Sequence, residues 1–223
     1  MTDAHFHRNQ YETYLARDGR EVRFFGIHPW QAADIPADGL AARLEAVREA
    51  VRLDPAAGVG EIGLDRLRTK SVPDAQREAF AAQLVIAAAF GRPVVLHGAK
   101  CWGEVVKACR PHAGRIPAFL FHGFSRSAGL LPDIVALNGF VSVGPAVCND
   151  HAVNYRELVK EIPLDRLLVE TAADVSAPPA PDAPAAPGAR DVLLKLAEVR
   201  GMSADELAAA VDTNAARFAE ARA

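Results

Sequence analysis

Short apolar runs alternate with longer, alanine-rich amphipathic segments along most of this 223-residue chain. Seven runs have the character of strands, at residues 4–6, 22–25, 58–62, 93–96, 118–121, 139–143 and 167–169. Helical spacing of apolar residues predicts helices at about 38–53, 73–90, 102–110, 128–137 and 155–162. Because strands and helices alternate and the runs are apolar throughout, we expect a parallel sheet that is covered on both faces.

A polar residue stands at the C-terminal end of nearly every predicted strand. In a closed α/β barrel those ends form the rim that carries the active site. No GxGxxG or P-loop motif follows a strand, so an open nucleotide-binding sheet is weakly supported. The predicted fold class is therefore α/β, a TIM-type (β/α) barrel, with one domain over residues 1–223. A Pro/Ala-rich loop at about 175–188 precedes predicted helices at about 189–200 and 203–211 and a further turn from Asn214.

The first strand carries two histidines, His5 and His7, which period two places on one face. Later strands end in further potential ligands: His28, Glu61, His97 and His122. Neutral imidazoles with a carboxylate suit zinc and related divalent ions. We therefore expect one or two divalent ions, of Zn, Mg or Mn, with Glu61 able to bridge a pair. Such a pair would activate a water and clamp a phosphoryl oxygen.

The net charge and the cysteine content limit which binding partners and which cellular compartment we expect. The formal net charge is −3, which argues against a surface that binds nucleic acid everywhere. Three cysteines without metal or redox spacing favour a reducing compartment, so the cytoplasm is predicted. No signal peptide or membrane span is expected. Basic residues that could guide a phosphate, or simply form a solvated face, are Arg8, Arg66, Arg68, Lys70 and Arg126. Aromatic residues that could stack on bases, or pack in the core, are Phe6, Trp30, Trp102 and Phe124.

An ordered series of motifs resembles the TatD family of metal-dependent deoxyribonucleases and hydrolases over nearly the whole chain. The matching segments are Asp3-Ala-His-Phe-His7, Gly26-Ile-His-Pro29, Gly60-Glu-Ile-Gly-Leu-Asp65, Gln76 with Phe80 and Gln83, Pro93-Val-Val-Leu-His97, Phe121-His-Gly-Phe-Ser125, Ile162-Pro-Leu-Asp-Arg-Leu-Leu168, Glu170-Thr171 and Thr213-Asn214. The resemblance implies phosphodiester hydrolysis in a TIM-type barrel. It also implies that His5 and His7 bind a first ion, that Glu61 bridges, and that His97 and His122 bind a second.

Three departures from the family pattern matter. The family usually reads Glu-Thr-Asp-Ala-Pro after the last strand, but Ala172 stands where its metal-binding aspartate, also the presumed proton acceptor, is expected. Asp174 could replace that aspartate as ligand and catalytic group only if the strand end bulges or the following loop folds back. Lys100 stands near the position where the family often has an arginine, and it could meet a phosphate as a point charge or be a solvated loop lysine. His28 is predicted to bind substrate. Residues 8–21 are too short for a full βα unit, so the barrel is expected to have seven strands or a degenerate second strand near 11–16.

Three functions follow from these residues. The first is a divalent-metal-dependent hydrolase of phosphoesters, with DNA ends as a candidate substrate and no membrane or obligate protein partner. The second is a metallohydrolase of a small non-nucleic ester, lactone or amide. The third is a catalytically impaired barrel that acts as a binding protein because Ala172 replaces the family aspartate.

Overall fold

The computed structural model describes residues 1–9, 12–36, 38–67, 69–125, 128–173 and 186–222. Within these residues, eight strands form one sheet in which neighbours in sequence are also neighbours in space. The strands are β1 (Asp3–Asn9), β2 (Glu12–Arg17), β3 (Arg20–Phe25), β4 (Gly58–Asp65), β5 (Val94–Ala99), β6 (Phe119–Phe121), β7 (Gly139–Val143) and β8 (Leu167–Val169).

The two edge strands of this sheet meet and close it into a barrel. The backbone N–H of Ala172 donates to the carbonyl of His5 at 2.9 Å, and the N–H of His7 donates to the carbonyl of Ala173 at 2.8 Å. These bonds join β1 to the residues directly after β8, and the sheet then has no free edge there. The predicted TIM-type barrel is confirmed, and its described residues contain eight strands.

The second strand is the irregular one. β2 pairs antiparallel with both β1 and β3, whereas the pairs from β3 to β8 are all parallel. A helical crossover does not fit between β1 and β3, but an antiparallel strand needs only a tight turn at each end. Asp18 and Gly19 form one of these turns with φ of 51° and 74°, as a two-residue hairpin loop requires. The degenerate second strand expected near 11–16 therefore exists as Glu12–Arg17.

Helices cover the outside of the barrel wherever the strands are parallel. They are α1 (Pro29–Asp34), α2 (Leu40–Leu53), α3 (Asp74–Phe90), α4 (Trp102–Cys109), α5 (Leu131–Ala136), α6 (Val153–Glu161), α7 (Ala189–Arg200) and α8 (Ala204–Ala219). The predicted break before Asn214 is wrong, since α8 continues through it. Thr213 donates its hydroxyl to the carbonyl of Ala209 within the helix, and the Asn214 amide donates to the carbonyls of Leu164 and Leu167. Thr213 therefore has its hydrogen-bond partner within α8, and Asn214 has its partners in the segment that packs beside α8.

Side chains rather than a helix cover the outer face of the β1–β3 hairpins. Phe6 stacks on Tyr14 with ring centroids 5.7 Å apart, and the guanidinium of Arg8 lies over the Tyr14 ring. Arg8 is also held by two hydrogen bonds to Glu21. Phe6 and Arg8 point away from the face that carries His5 and His7. The structure therefore assigns them to this outer layer and not to a substrate path at the rim.

Helix α8 closes the N-terminal end of the barrel. Its Phe218 lies 5.9 Å, centroid to centroid, from both Phe24 on β3 and Phe140 on β7. In a ring of eight strands, β3 and β7 stand on opposite sides, and both phenylalanines lie at the level where the parallel strands begin. Because one end is filled by apolar packing, the polar chemistry is confined to the opposite, C-terminal rim.

Candidate metal centre

The carboxylate of Glu61 on β4 is the centre of the rim. It is buried, with 4% of the side chain exposed. Five imidazoles surround it: His5 Nε2 at 3.1 Å, His7 Nε2 at 3.6 Å, His28 Nε2 at 3.6 Å, His97 Nδ1 at 2.6 Å and His122 Nε2 at 2.7 Å. The structure therefore brings together the six strand-end ligands that the sequence suggested separately.

The two oxygens of Glu61 divide this cluster into halves. His5 and His7 face Oε2, and their rings meet edge to face with centroids 4.7 Å apart, as alternation along β1 predicts. His97 and His122 face Oε1 from β5 and from the residue that follows β6. A single carboxylate thus contacts two pairs of histidines through different atoms, which is the arrangement that a bridging ligand needs.

Two further carboxylates lie behind the histidines. Glu170, which is 1% exposed, has its oxygens 3.9 Å from His5 Nδ1 and 3.5 Å from His122 Nδ1 and accepts a hydrogen bond from Ser142. Asp65 lies 2.9 Å from His97 Nε2. Sequence reasoning placed both acids within family motifs but gave them no role, although each follows the same strand-end rule as the histidines.

Charge within the cluster shifts its pKa values strongly. Burial opposes protonation of His122, but the carboxylates of Glu61 and Glu170 outweigh it and raise the pKa of this ring to about 10. Burial would raise the pKa of Glu61, but the neighbouring His122 and His5 hold it well below its usual range. Burial, reinforced by His5, lowers the pKa of His7 to about 4. At neutral pH the protein without an ion therefore keeps a proton on His122 that a cation would displace.

The donor set fits a divalent ion. Among the described residues, ligand atoms come within 4.8 Å of one another in three groups: His5, His7 and Glu61; His5, His122 and Glu170; and His28, Glu61 and His97. The Nδ1 atoms of His5, His7 and His122 are buried and have no hydrogen-bond partner within the described part of the chain. Buried imidazoles beside carboxylates are the ligands that zinc and related ions prefer, and the cluster has few other ways to satisfy them.

Comparison with known proteins assigns the chain to a family. The sequence profile described as TatD related DNase matches residues 2–220. The chain belongs to the TatD-related DNase family. It is 33% identical over 201 residues to the 3'-5' ssDNA/RNA exonuclease TatD of Pectobacterium carotovorum, an alignment that covers 86% of this chain and 75% of that protein. It is 30% identical over 195 residues to the uncharacterized metal-dependent hydrolase YabD of Bacillus subtilis, with the same coverage.

A solved structure supports the same assignment. The crystal structure of YJJV, a TatD homolog from Escherichia coli, superposes with a TM-score of 0.73 at 28% identity, covering 87% of this chain and 75% of that one. Membership in the TatD family confirms the predicted class, a metal-dependent hydrolase that acts on ester bonds. In the described parts of the chain, no helix is long and apolar enough to cross a membrane.

The TatD aspartate position is occupied by an exposed alanine. Ala172 is exposed and has a left-handed backbone, with φ of 51°. Its N–H holds the carbonyl of His5, so the backbone rather than the side chain of this residue supports the centre. Asp174, the suggested replacement, lies outside the described residues, as do Arg68, Arg126 and most of the Pro/Ala-rich loop. Among the described residues, Glu170 is the acidic side chain nearest to this turn along the chain.

His28 differs from the other histidines in its hydrogen bonding. Its Nδ1 accepts the backbone N–H of Trp30 at the start of α1. A neutral ring with this bond carries its proton on Nε2 and turns an N–H, not a lone pair, toward Glu61. His28 therefore lies at the centre, where the sequence predicted it, but as a hydrogen-bond donor.

A cleft of about 250 Å³ opens beside the second pair of histidines. Its lining includes Leu67, His97, Lys100 and His122. Lys100 is exposed at its mouth, and its carbonyl accepts a hydrogen bond from Arg66. Of the aromatic candidates for base stacking, Trp102 and Phe124 are buried, whereas Trp30 is half-buried and donates its indole N–H to Asp65.

Proposed function

We propose that this protein is a divalent-metal-dependent phosphodiesterase that removes nucleotides from the ends of single-stranded nucleic acid. The observation that carries the proposal is the Glu61 carboxylate, which faces His5 and His7 with one oxygen and His97 and His122 with the other. The name of the Pectobacterium relative, a 3'-5' ssDNA/RNA exonuclease, supports this class of substrate.

The ligands divide between two positions. His5 and His7 would hold one ion through Nε2, His97 through Nδ1 and His122 through Nε2 would hold another, and Glu61 would bridge them. Bound at these positions, a divalent ion such as Zn, Mg or Mn lowers the pKa of a water and stabilises the negative charge that develops on a phosphoryl oxygen.

Other side chains of this protein would act on the substrate directly. Lys100 stands at the mouth of the cleft, where its ammonium group can meet a phosphate as a point charge. His28 has its Nε2 N–H fixed by the bond from Trp30, and it can donate to a phosphate oxygen that approaches Glu61. Asp174 remains our candidate for proton acceptor, a role that Ala172 lacks the chemistry to fill.

One observation favours a second candidate, hydrolysis of a small non-nucleic ester, lactone or amide. The cleft beside His97 has a volume of only about 250 Å³, and three of the four aromatic residues considered for base stacking are buried. A short substrate would need the metal centre and Lys100 but no long stacking platform.

Three free cysteines remain consistent with a proposed location in the cytoplasm.

The test starts from protein purified without chelator. We expect metal analysis to find at least one divalent ion per chain, and a 5'-labelled single-stranded DNA to be shortened stepwise from its 3' end. A parallel panel of small phosphoesters, lactones and amides separates the second candidate. Protein that holds no metal and gains no activity with Mg, Mn, Co or Zn would rule out both and leave the binding-protein hypothesis.

A matched pair of variants separates the candidate proton acceptors. Asp174→Ala removes the suggested acceptor, and Asp165→Ala removes an acid that is exposed at the opposite end of the barrel. We expect the first to lower turnover at least 10-fold with metal content unchanged or reduced, and the second to leave both unchanged. Equal turnover of the two variants would exclude Asp174 from the reaction.

A further inference from the structure

Both nitrogens of three histidines at the centre face a carboxylate. His97 has Nδ1 2.6 Å from Glu61 and Nε2 2.9 Å from Asp65. His5 and His122 have Nε2 at 3.1 and 2.7 Å from Glu61, and their Nδ1 atoms at 3.9 and 3.5 Å from Glu170. Each ring therefore stands between Glu61 on the side of the rim and a second acid behind it.

Glu170 is the acid that the two halves of the centre share. Its Oε2 faces His5, which belongs to the first pair of histidines, and its Oε1 faces His122, which belongs to the second. The rings of His5 and His122 are also packed against each other, with centroids 4.0 Å apart. Ser142 on β7 donates its hydroxyl to Oε2, which fixes the carboxylate from below.

We propose that Glu170 is a positioning residue that holds the ring proton of both His5 and His122 on Nδ1. A neutral imidazole has one N–H and one lone pair, so a proton on Nδ1 leaves Nε2 free to bind an ion beside Glu61. Metal-binding histidines commonly donate their other nitrogen to a carboxylate for this reason. This inference rests on the proposed metal centre and adds the acid that orients one ligand from each half.

The His97–Asp65 pair shows the same arrangement completed. There the distance from the ring nitrogen to the acid is 2.9 Å, a normal hydrogen bond, and the other nitrogen faces Glu61. The distances from Glu170 to His5 Nδ1 and His122 Nδ1 are longer. A displacement of each ring by up to about 1 Å brings its Nδ1 within normal hydrogen-bond distance of the carboxylate. The buried Nδ1 atoms of His5 and His122 have no other hydrogen-bond partner among the described residues.

A competing arrangement places an ion between the same three side chains. The Nδ1 atoms of His5 and His122 and a Glu170 oxygen are close enough to hold one cation directly. Glu170 would then be a ligand, and the two rings would bind through Nδ1 instead of Nε2. The nitrogen that carries the ion decides between the two arrangements.

Glu170→Gln tests the role because an amide has one acceptor oxygen where the carboxylate has two. The Ser142 hydroxyl keeps that oxygen at the Oε2 position, so the NH2 group faces His122 and donates to its Nδ1. The proton of His122 must then move to Nε2, which blocks the second ion. Glu78→Gln is the matched control, since it makes the same change of side chain at an exposed position on α3, away from the centre.

Zinc titration followed by calorimetry, and long-range 1H–15N spectra of zinc-loaded protein, give the readouts. The chain has seven histidines, which single substitutions can assign. In the wild type we expect zinc-shifted Nε2 and protonated Nδ1 for His5 and His122. In Glu170→Gln we expect about 10- to 100-fold weaker binding of the ion at His97 and His122, with the other half retained. Glu78→Gln should bind zinc at both positions as the wild type does.

Two results would overturn the positioning role alone. One is Glu170→Gln protein that is folded by circular dichroism and binds zinc as the wild type does. The other is a zinc-shifted Nδ1 on His5 or His122 in the wild type, which would make Glu170 a ligand. Wild-type protein that binds no zinc would overturn the proposed function and the positioning role together.

Discussion

The two halves of the metal centre are supported unequally. His97 and His122 lie 2.6 and 2.7 Å from one oxygen of Glu61, and an acid stands behind each ring. His5 and His7 lie 3.1 and 3.6 Å from the other oxygen, and Nδ1 of His7 has no hydrogen-bond partner among the described residues. The family aspartate that would complete this half is replaced by Ala172. We therefore propose that alanine at residue 172 weakens the half of the site that contains His5 and His7, while Glu61 supports the other half independently.

Glu61→Gln gives the largest expected effect because Glu61 belongs to both halves. The loss of several kcal/mol of charge stabilisation corresponds to a fall in kcat/KM on the order of 1,000-fold. Metal content should fall at both positions, measured by elemental analysis of dialysed protein. Glu78→Gln, on the exposed side of α3, is the control and should change neither quantity. A variant that keeps its metal and its activity would remove Glu61 from the centre.

His122→Gln and His7→Gln compare the halves directly. We expect His122→Gln to weaken metal binding at least 10-fold more than His7→Gln, because the complete half holds its ion more tightly. Competition with a chromogenic chelator measures both affinities on one scale. Equal losses would show that the two halves are equivalent despite the difference at residue 172.

Ala172→Asp should strengthen the weaker half. Aspartate adopts a left-handed backbone more readily than alanine, so the φ of 51° favours the substitution locally. A new carboxylate beside His5 and His7 should raise affinity for a divalent ion about 10-fold, and the gain should vanish in an Ala172→Asp/His7→Gln double variant. Ala172→Asn is the neutral control, since it fits the same backbone without adding charge. No gain over Ala172→Asn would show that side chains at this position point away from the ion.

The pH dependence of metal binding should come mainly from the complete half. The pKa of His122 is raised to about 10, so this ring is protonated at neutral pH and must lose its proton when an ion binds. Affinity should therefore rise at least about 10-fold per pH unit from 6.5 to 8.5, and the pKa of His7, lowered to about 4, should add nothing in this range. The slope is a minimum because burial lowers the pKa of His97 but its hydrogen bonds to Asp65 and Glu61 outweigh this and raise it, so this ring can release a proton as well. Calorimetry in buffers of different ionisation enthalpy counts the released proton. In His122→Gln the slope should flatten, and an unchanged slope would place the proton elsewhere.

The parallel strands and the ligands at their ends could be predicted from the sequence because both follow from local patterns. Strands such as β4 and β7 are buried along their whole length, so they appear in the sequence as short, mostly apolar runs. β2 was located only as an alternative, because Glu12–Arg17 alternates and has no apolar run. The Asp18-Gly19 turn was a signal for this hairpin that the sequence reasoning did not use.

The sequence does not predict the roles of Glu170 and Asp65, the two acids that lie behind the histidines. Glu170 reaches His5 and His122 only because the barrel closes between β8 and β1 and places β6 nearby, and no spacing within the chain reports that closure. The same limit applied to His28, whose proton position depends on a backbone N–H of the following helix. Residue type and strand position therefore predict which residues form the centre. The hydrogen bonds between them depend on how the barrel closes in three dimensions.

The barrel closes between β8 and β1, and the proposed metal centre connects β1 to strands in the middle of the sheet. His5 and His7 are on β1, while Glu61, His97 and His122 stand on strands much later in the chain. An ion held by both groups would act as a removable cross-link between the first ten residues and the body of the barrel. Such a link stabilises the folded chain because the ion binds the assembled ligands and not the unfolded chain, and its contribution grows with the concentration of free ion relative to the dissociation constant. The same ligands that would support hydrolysis would then also hold the N-terminal strand in place, so that metal supply would set the resistance of this strand to proteolysis.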